Sequence, residues 1–140
     1  VREAEPGMPL EPGHVYIAPG GQQMSVERSA GGYRCRIERG ERVNLHRPSV
    51  DVLFHSVAQQ AGPRSIGVML TGMGNDGAQG MRAMRDQGAY NIVQDQATSM
   101  VWGMPGAAAE LGAAHAQLPL QRIGPTLCQI VGAVAQPARD

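Results

Sequence analysis

The stretch that decides the fold is residues 65–94, SIGVMLTGMGNDGAQGMRAMRDQGAYNIVQ. Its apolar run Ile66 to Thr71 predicts a buried strand, Ala78 to Gln87 has the pattern of a helix, and Tyr90 to Gln94 predicts the next strand. A strand, a helix and a strand in this order form a βαβ unit, whose two strands lie parallel. The stretch Leu70 to Gly80, which contains the turn after the first strand, holds four glycines and one acid, Asp76. Because α/β proteins place their chemistry at the carboxyl ends of their strands, this turn is the first candidate site.

Patterns on either side of this unit extend the same architecture. Alternation in residues 33–38 places Tyr33, Cys35 and Ile37 on one face, which predicts a half-exposed antiparallel hairpin. The expected fold is α/β: a mostly parallel sheet flanked by helices, with an antiparallel hairpin attached. The further predicted elements are a strand at His14 to Ala18, hairpin arms at Gln22 to Arg28 and Tyr33 to Glu38, a helix from the N-cap Ser49 to near Gly62-Pro63, a helix at Pro105 to Leu111, a strand at His115 to Leu118 and a helix at Pro125 to Val134.

Composition restricts the function classes. A chain of 140 residues with 42% hydrophobic and 17% charged residues suits one globular domain. Twelve basic residues balance twelve acidic ones, so nothing indicates nucleic acid or an anionic membrane as partner. The apolar runs are too short for membrane insertion. Cys35 and Cys128 are far apart and indicate neither a disulfide framework nor a metal site, so a reduced, cytoplasmic protein without cofactor or metal is expected.

The glycine-rich turn has a dinucleotide-binding interpretation. Gly72, Gly74 and Gly77 satisfy the GxGxxG spacing between a strand and a helix, and Asp95 ends the next strand, where such folds place a ribose-binding acid. Asp76 argues against this interpretation, because a carboxylate inside the turn competes with a pyrophosphate for the helix N-terminus. The dinucleotide site is therefore the less favoured alternative.

A catalytic interpretation makes Asp76 the functional group. An acid at the end of a parallel strand is suited to orienting a catalytic histidine, and the N–H groups of Met73 and Gly74 are suited to stabilising an oxyanion. The competing structural interpretation is that Asp76 only caps the helix that begins at Ala78, since Asp is a preferred N-cap residue. Spacing alone leaves both interpretations open.

Four blocks of the chain resemble the catalytic domain of the CheB-type chemotaxis protein-glutamate methylesterases. The resemblance implies a serine hydrolase that removes methyl groups from glutamyl esters on methyl-accepting chemotaxis receptors, and in some members deamidates receptor glutamines. It runs from about Pro12 to Val131 and implies a doubly wound, three-layer αβα fold, mostly parallel with an antiparallel hairpin and incomplete here at its N-terminal side. The blocks are GHVYIAPG (Gly13 to Gly20), HRPSVDVLFHSVA (His46 to Ala58), GVMLTGMGNDGAQGM (Gly67 to Met81) and GMP (Gly103 to Pro105).

The resemblance also implies roles for individual residues. The family's triad is Ser, His and Asp in chain order, and its acid belongs to the GMGNDG block, which makes it Asp76 here. Met73 of the same block would supply an oxyanion-hole amide, with Gly74 and Asn75 beside it. His46 and Arg47 lie on a loop that borders the active site in the family. These are the expected site residues.

The family's serine and histidine both precede the GHVYIAPG block, and none of the six serines in this chain has the required context. The sequence therefore predicts a linker leading into the domain at residues 1–12, the C-terminal part of a methylesterase catalytic domain at 13–136 and a tail at 137–140. These residues alone are expected to be inactive. An N-terminal receiver domain or the missing half of the catalytic domain would be a further partner. The alternative is a non-catalytic remnant that binds the receptor or a regulator.

Overall fold

A computed structural model of the chain describes residues 1–135. It contains seven strands and four α-helices, with a short 3₁₀ turn at Gly62–Arg64, within those residues. The strands are β1 (Arg2–Glu3), β2 (Tyr16–Ile17), β3 (Gln23–Ser29), β4 (Gly32–Glu38), β5 (Ile66–Met69), β6 (Tyr90–Gln94) and β7 (Ala116–Leu118). The helices are α1 (Val50–Gln60), α2 (Ala78–Asp86), α3 (Gly103–Glu110) and α4 (Leu120–Ala135).

The central sheet is parallel, in the order β5-β6-β7. Ile66 pairs with Tyr90 at the start of β5, and Ile92 pairs with Ala116 at the start of β7. The middle strand β6 is buried over most of its length, as expected for a strand flanked on both sides and covered by helices. Its core contacts are with the apolar residues of β5, α2, α3 and the segment before β7, namely Met69, Ala78, Met81, Ala108 and Ala113.

The hairpin β3–β4 forms a sheet of its own beside the parallel sheet. Its inward face carries Cys35, which is fully buried and packs with Met24 and Ala4. The predicted alternation in β4 is therefore confirmed. Residues 1–12 contain β1, which pairs in parallel with β2, and the buried Ala4 beside the hairpin, so this segment contributes to packing.

Helix α1 connects the hairpin to the parallel sheet. On one side, the Ser56 hydroxyl accepts a hydrogen bond from the Val26 N–H at 2.9 Å and the Gln60 side chain accepts one from the Arg28 N–H at 3.0 Å, so α1 holds strand β3. On its other side α1 packs against α2 through Phe54. The hairpin thereby gains a fixed position relative to the site.

The predicted α/β class, with a mostly parallel sheet and a hairpin, is confirmed, and β6 has its predicted bounds. The prediction for the last helix was wrong at its start, because α4 begins at Leu120 and includes Pro125. The Leu120 N–H donates to the Thr98 hydroxyl at 3.0 Å, which fixes this earlier start. Because proline has no N–H, the hydrogen bond that residue 125 would otherwise donate to the carbonyl of the exposed Gln121 is absent. The predicted tail at 137–140 lies outside the described residues.

Over residues 1–135, none of the helices has the length and apolar character needed to cross a membrane.

Helices α1 and α2 pack closely at Gly80, so we can predict the effect of adding a single methyl group there. A Cβ added at Gly80 would lie 2.7 Å from the Cβ of Phe54 and 3.0 Å from Oδ1 of Asp51. We expect Gly80→Ala to destabilise the fold, because overpacking costs about 1–3 kcal/mol and a gain in helix propensity of about 1 kcal/mol offsets only part of this. Urea unfolding measures the change.

Gly132→Ala is the matched control, because Gly132 lies in α4 and an added Cβ there meets nothing within 4 Å. Helix propensity alone should make this variant more stable, by up to about 1 kcal/mol. Equal changes in the free energy of unfolding for the two variants would show that the α1–α2 contact is not tightly packed.

Candidate active site

Two loops meet at the carboxyl ends of β5 and β6. The Thr71 hydroxyl donates to the Val101 carbonyl and accepts from the Val101 N–H, both at 2.9 Å. The buried Gln94 side chain accepts from the Thr71 N–H at 2.8 Å and donates to the Thr98 carbonyl at 2.8 Å. Thr71, where the glycine-rich turn begins, is therefore fixed to the neighbouring loop.

Asp76 lies buried in this turn, with only 4% of its surface exposed. Its Oδ2 accepts the Val50 N–H at 2.7 Å. Its Oδ1 accepts the Ser49 hydroxyl at 2.7 Å, the Asn44 side-chain amide at 2.9 Å and the Asp51 N–H at 3.3 Å. The carboxylate thus sits on the N-terminus of α1, where N–H groups lack partners within the helix.

The capping interpretation of Asp76 is corrected by this arrangement. The acid does not cap α2: Gly77 occupies the N-cap position of that helix, at φ +92°, without a side-chain cap. Asp76 caps α1, which lies more than twenty residues earlier in the chain. The predicted N-cap Ser49 does hold the N-cap position of α1, but its hydroxyl donates to Asp76 instead of accepting from its own helix.

A second buried carboxylate completes an exchange between the two helices. Asp51, in the first turn of α1, is 6% exposed and its Oδ1 accepts the Gly80 N–H of α2 at 2.7 Å. Asp76, from the turn before α2, therefore binds the N-terminal turn of α1, and Asp51, from the first turn of α1, binds the N-terminal turn of α2. Asn44 contacts both acids, since its amide nitrogen also donates to Oδ2 of Asp51 at 2.6 Å.

The loop that carries Asn44 and Ser49 is held by the hairpin. The buried Gln23 of β3 accepts the Ser49 N–H at 2.8 Å through its side-chain oxygen. Its side-chain nitrogen donates to the carbonyls of Glu41 at 2.8 Å and His46 at 3.1 Å. The hairpin therefore positions the donors around Asp76 without contacting the acid itself.

The surroundings of Asp76 set its charge. Burial alone would raise the pKa of Asp76, because it disfavours the charged form. The hydrogen bonds from Asn44, Ser49 and the N–H groups of Val50 and Asp51 outweigh burial and hold the pKa below its ordinary value. The acid is therefore ionised at neutral pH.

The two oxygens of Asp76 differ in the acceptor capacity that they have left. Oδ1 accepts three hydrogen bonds and Oδ2 accepts one from the described residues. A carboxylate offers about four acceptor sites, two on each oxygen. Oδ2 is thus the oxygen that retains capacity for a further donor.

The predicted oxyanion residues lie on the outer side of the same turn. The side chain of Met73 is 79% exposed, and Gly74 has φ +88°. Among residues 1–135, no acceptor lies within hydrogen-bonding geometry of the Met73 or Gly74 N–H. Two backbone N–H groups of the turn that carries Asp76 therefore have no partner within the described residues. Gly103 packs against this turn, where an added Cβ would lie 2.9 Å from the Gly74 nitrogen.

Asn75 and a neighbouring cavity lie on the other side of the acid. The cavity has a volume of 410 Å³ and opens between α2 and α3. Asn75 lines it together with Asn44 and Asp51, and Glu110 of α3 adds a second carboxyl-bearing side chain. The site is thus polar and open to solvent beside a buried acid.

His46 and Arg47 lie further out. His46 is exposed, and in the described residues its side chain makes no hydrogen bond to Asp76. Arg47 donates from a terminal nitrogen to the Gly40 carbonyl at 3.2 Å, directed toward the hairpin end of the loop. Their role as residues lining the substrate site stays a prediction.

The structure gives the glycines and Asp95 other roles than dinucleotide binding. Asp95 accepts the Thr98 hydroxyl at 2.6 Å and the Thr98 N–H at 3.0 Å, which shapes its own loop. A Cβ at Gly77 would lie 2.7 Å from Val50, so this glycine permits α1 to approach. The N-terminal turn of α2, where a pyrophosphate would bind, already holds Asp51. Within residues 1–135, no group of three or more His, Cys, Asp or Glu side chains is arranged to hold a metal ion.

Sequence reasoning missed two residues of this site, Asn44 and Asp51. Asn44 has φ +52°. Asn is enriched at positive φ among non-glycine residues, so the asparagine itself is a sequence signal for a turn at 43–46. Asp51 follows the N-cap in the first turn of α1, where an acid usually complements its own helix. Its bond to another helix depends on how the helices pack, which no local pattern reveals.

Removing the charge of Asp76 should weaken the fold. We expect Asp76→Asn to lower the free energy of unfolding at neutral pH by about 1–3 kcal/mol, since buried hydrogen bonds to a charged group are lost or weakened. Asp86→Asn is the control, because Asp86 is 56% exposed and pairs with Arg82 at the surface. That change should cost less than about 0.5 kcal/mol. Urea unfolding of the two variants compares them.

The same variant tests the ionisation of Asp76. A folded-state pKa below the ordinary value of about 3.9 stabilises the native state above that pH, and this contribution is lost as the pH falls through the folded-state pKa. The stability difference between the parent protein and Asp76→Asn should therefore be largest near neutral pH and shrink below about pH 4. A difference that stays constant as the pH is lowered would show that folding does not lower the pKa of Asp76.

Comparisons with known proteins identify the family of the chain. The family model described as CheB methylesterase matches residues 1–127. The chain is 55% identical over 131 residues to protein-glutamate methylesterase/protein-glutamine glutaminase 4 of Anaeromyxobacter dehalogenans, covering 94% of this chain and 37% of that protein. It is 54% identical over 127 residues to protein-glutamate methylesterase/protein-glutamine glutaminase 1 of Xanthomonas campestris, covering 91% and 36%. The chain therefore spans little more than a third of the length of these curated relatives.

A solved structure shares the fold. The crystal structure of the Thermotoga maritima CheB methylesterase catalytic domain aligns with a TM-score of 0.89 at 35% identity, covering 92% of this chain and 68% of that one. Together with the family match over most of the chain, this shows that the chain belongs to the CheB methylesterase family.

Proposed function

We propose that residues 1–140 form the acid-bearing part of a protein-glutamate methylesterase that acts on methyl-accepting chemotaxis receptors, with Asp76 as the acid of a Ser-His-Asp triad. One observation carries the proposal: an ionised, almost fully buried carboxylate lies at the carboxyl end of a parallel strand and retains acceptor capacity on Oδ2. The names of the relatives support the substrate class, since they are protein-glutamate methylesterases and protein-glutamine glutaminases.

The proposed chemistry assigns Asp76 a positioning and electrostatic role. A serine oxygen attacks the carbonyl carbon of a glutamyl methyl ester while a histidine takes the hydroxyl proton. The histidine then gives this proton to the departing methoxide, which leaves as methanol, and water hydrolyses the acyl-enzyme to free glutamate. Asp76 accepts the other ring N–H of that histidine, fixes its tautomer and stabilises the imidazolium. The serine and histidine would come from sequence outside residues 1–140.

The turn offers the remaining component of such a site. The N–H groups of Met73 and Gly74 make no hydrogen bond within the described residues and are the proposed donors to the tetrahedral oxyanion. A glutaminyl amide would react by the same sequence, with ammonia as the leaving group in place of methanol. Methylesterase and glutaminase activity therefore need only one site.

Methanol release from methylated receptor fragments tests the proposal. The chain of residues 1–140 alone should release none, whereas the protein together with its upstream coding sequence should be active. In that active protein, Asp76→Asn should lower kcat by about 10⁴-fold, because the histidine loses the acceptor that fixes its tautomer. Asp86→Asn, far out on α2 and exposed, should leave kcat unchanged.

The outcomes separate the candidate functions. Hydrolysis by residues 1–140 alone would contradict the assignment of serine and histidine to another segment. An unchanged kcat in Asp76→Asn would remove Asp76 from the triad. An upstream sequence that restores no activity, while receptor binding persists, would favour a non-catalytic binding protein instead.

A further inference from the structure

Asn44 lies in a tight turn at the surface above the two buried acids. The turn is closed by two hydrogen bonds of 2.9 Å, in which the Val43 N–H donates to the His46 carbonyl and the His46 N–H donates to the Val43 carbonyl. Asn44 and Leu45, the two central residues, have φ +52° and φ +66°. This backbone conformation directs the Asn44 side chain toward α1, whereas the side chain of Leu45 is 86% exposed.

The amide group of Asn44 uses its single nitrogen for both acids. That nitrogen donates to Oδ2 of Asp51 at 2.6 Å and to Oδ1 of Asp76 at 2.9 Å. A side-chain amide has two N–H bonds and can thus serve one carboxylate with each. Asn44 is the side chain that contacts both acids in the described part of the chain.

Burial raises the pKa of Asp76, and the hydrogen bond from Asn44 is the largest of the contributions that lower it. The other donors to Asp76 are the Ser49 hydroxyl and backbone N–H groups, which carry no charge. Asp51 is the titratable group that faces Asp76 from α1, and Glu110 of α3 lines the cavity next to Asn44. From the turn itself, His46 is exposed. The region is therefore acidic, and its amide donors stabilise the charges.

We propose that Asn44 is a positioning residue for the proposed triad: its amide holds Asp51 and Asp76 at a fixed separation and occupies Oδ1 of Asp76, so that Oδ2 is the oxygen presented to the histidine. The proposal rests on the proposed function for its effect on catalysis, but the link between the two acids is a property of the fold alone. In this proposal Asn44 acts only through the two acids and is assigned no contact with the substrate or the reacting atoms.

Asn44→Gly is the informative variant, because glycine adopts positive φ without strain and only the side chain is lost. Leu45→Gly is the matched control: it loosens the same turn at the adjacent positive-φ position and removes a side chain that is exposed. Both variants are made in the full-length protein. Two quantities are measured: kcat and KM for methyl ester hydrolysis, and the pH titration of the Asp76 side-chain carboxyl carbon by ¹³C NMR.

Asn44→Gly should lower kcat tenfold to about a hundredfold, the scale expected when a catalytic group is displaced by a fraction of an ångström to 1 Å. KM should change less than twofold, about the precision of such a comparison, since Asn44 does not bind substrate. The carboxyl titration of Asp76 should move to higher pH. Asn44→Asp, which replaces the donor with a third carboxylate, should move it further in the same direction. Leu45→Gly should change neither quantity.

The other possible results either overturn this proposal or reject the proposed function. A titration of Asp76 in Asn44→Gly that matches Leu45→Gly would overturn the proposal. A shifted titration with unchanged kcat would also overturn it, because the link between the acids would then have no catalytic consequence. A shifted titration in a protein whose parent form hydrolyses no ester would leave the link between the acids standing and reject the proposed function instead.

Discussion

The rest of the site depends on one exchange of carboxylates between two helices. Asp76, from the turn before α2, sits on the N-terminal N–H groups of α1, and Asp51, from the first turn of α1, sits on the Gly80 N–H of α2. Each bond joins a charge to a helix N-terminus, where it is favoured. Because the exchange is reciprocal, neither helix can move without breaking both contacts. The acid at the end of β5 is thereby fixed by elements on either side of it, as a positioned catalytic group requires.

The glycines of the turn are explained by this packing. Gly77 and Gly80 lie where α1 crosses the turn and the start of α2, and a Cβ at either would lie within 2.7 Å of an α1 side chain. Their spacing resembles a phosphate-binding fingerprint because both arrangements need backbone to approach closely at a helix N-terminus. What differs is the partner, since here another helix of the same chain occupies the place that a pyrophosphate would take.

Elements with strong local patterns were predictable from the sequence, and contacts between distant segments were not. Strand β6 and helix α2 follow from an apolar run and a helical period bounded by glycine, and Asp76 was identified by its place at the end of a strand. Which helix Asp76 caps was predicted wrongly, because capping propensity describes only the helix that follows in the chain. Asn44 and Asp51 were missed because their roles depend on α1 crossing α2, a tertiary arrangement. The early start of α4 likewise depends on the hydroxyl of Thr98, which lies in another loop.

In the proposed site, Oδ2 of Asp76 accepts a hydrogen bond from the catalytic histidine while Oδ1 keeps its hydrogen bonds from Asn44 and Ser49. A crystal structure of the full-length protein is the decisive measurement. We expect a histidine ring nitrogen within about 2.6–3.2 Å of Oδ2, with the bonds of Asn44 and Ser49 to Oδ1 retained. A structure in which no histidine reaches Asp76, or in which a histidine binds Oδ1 in place of Asn44, would contradict this arrangement.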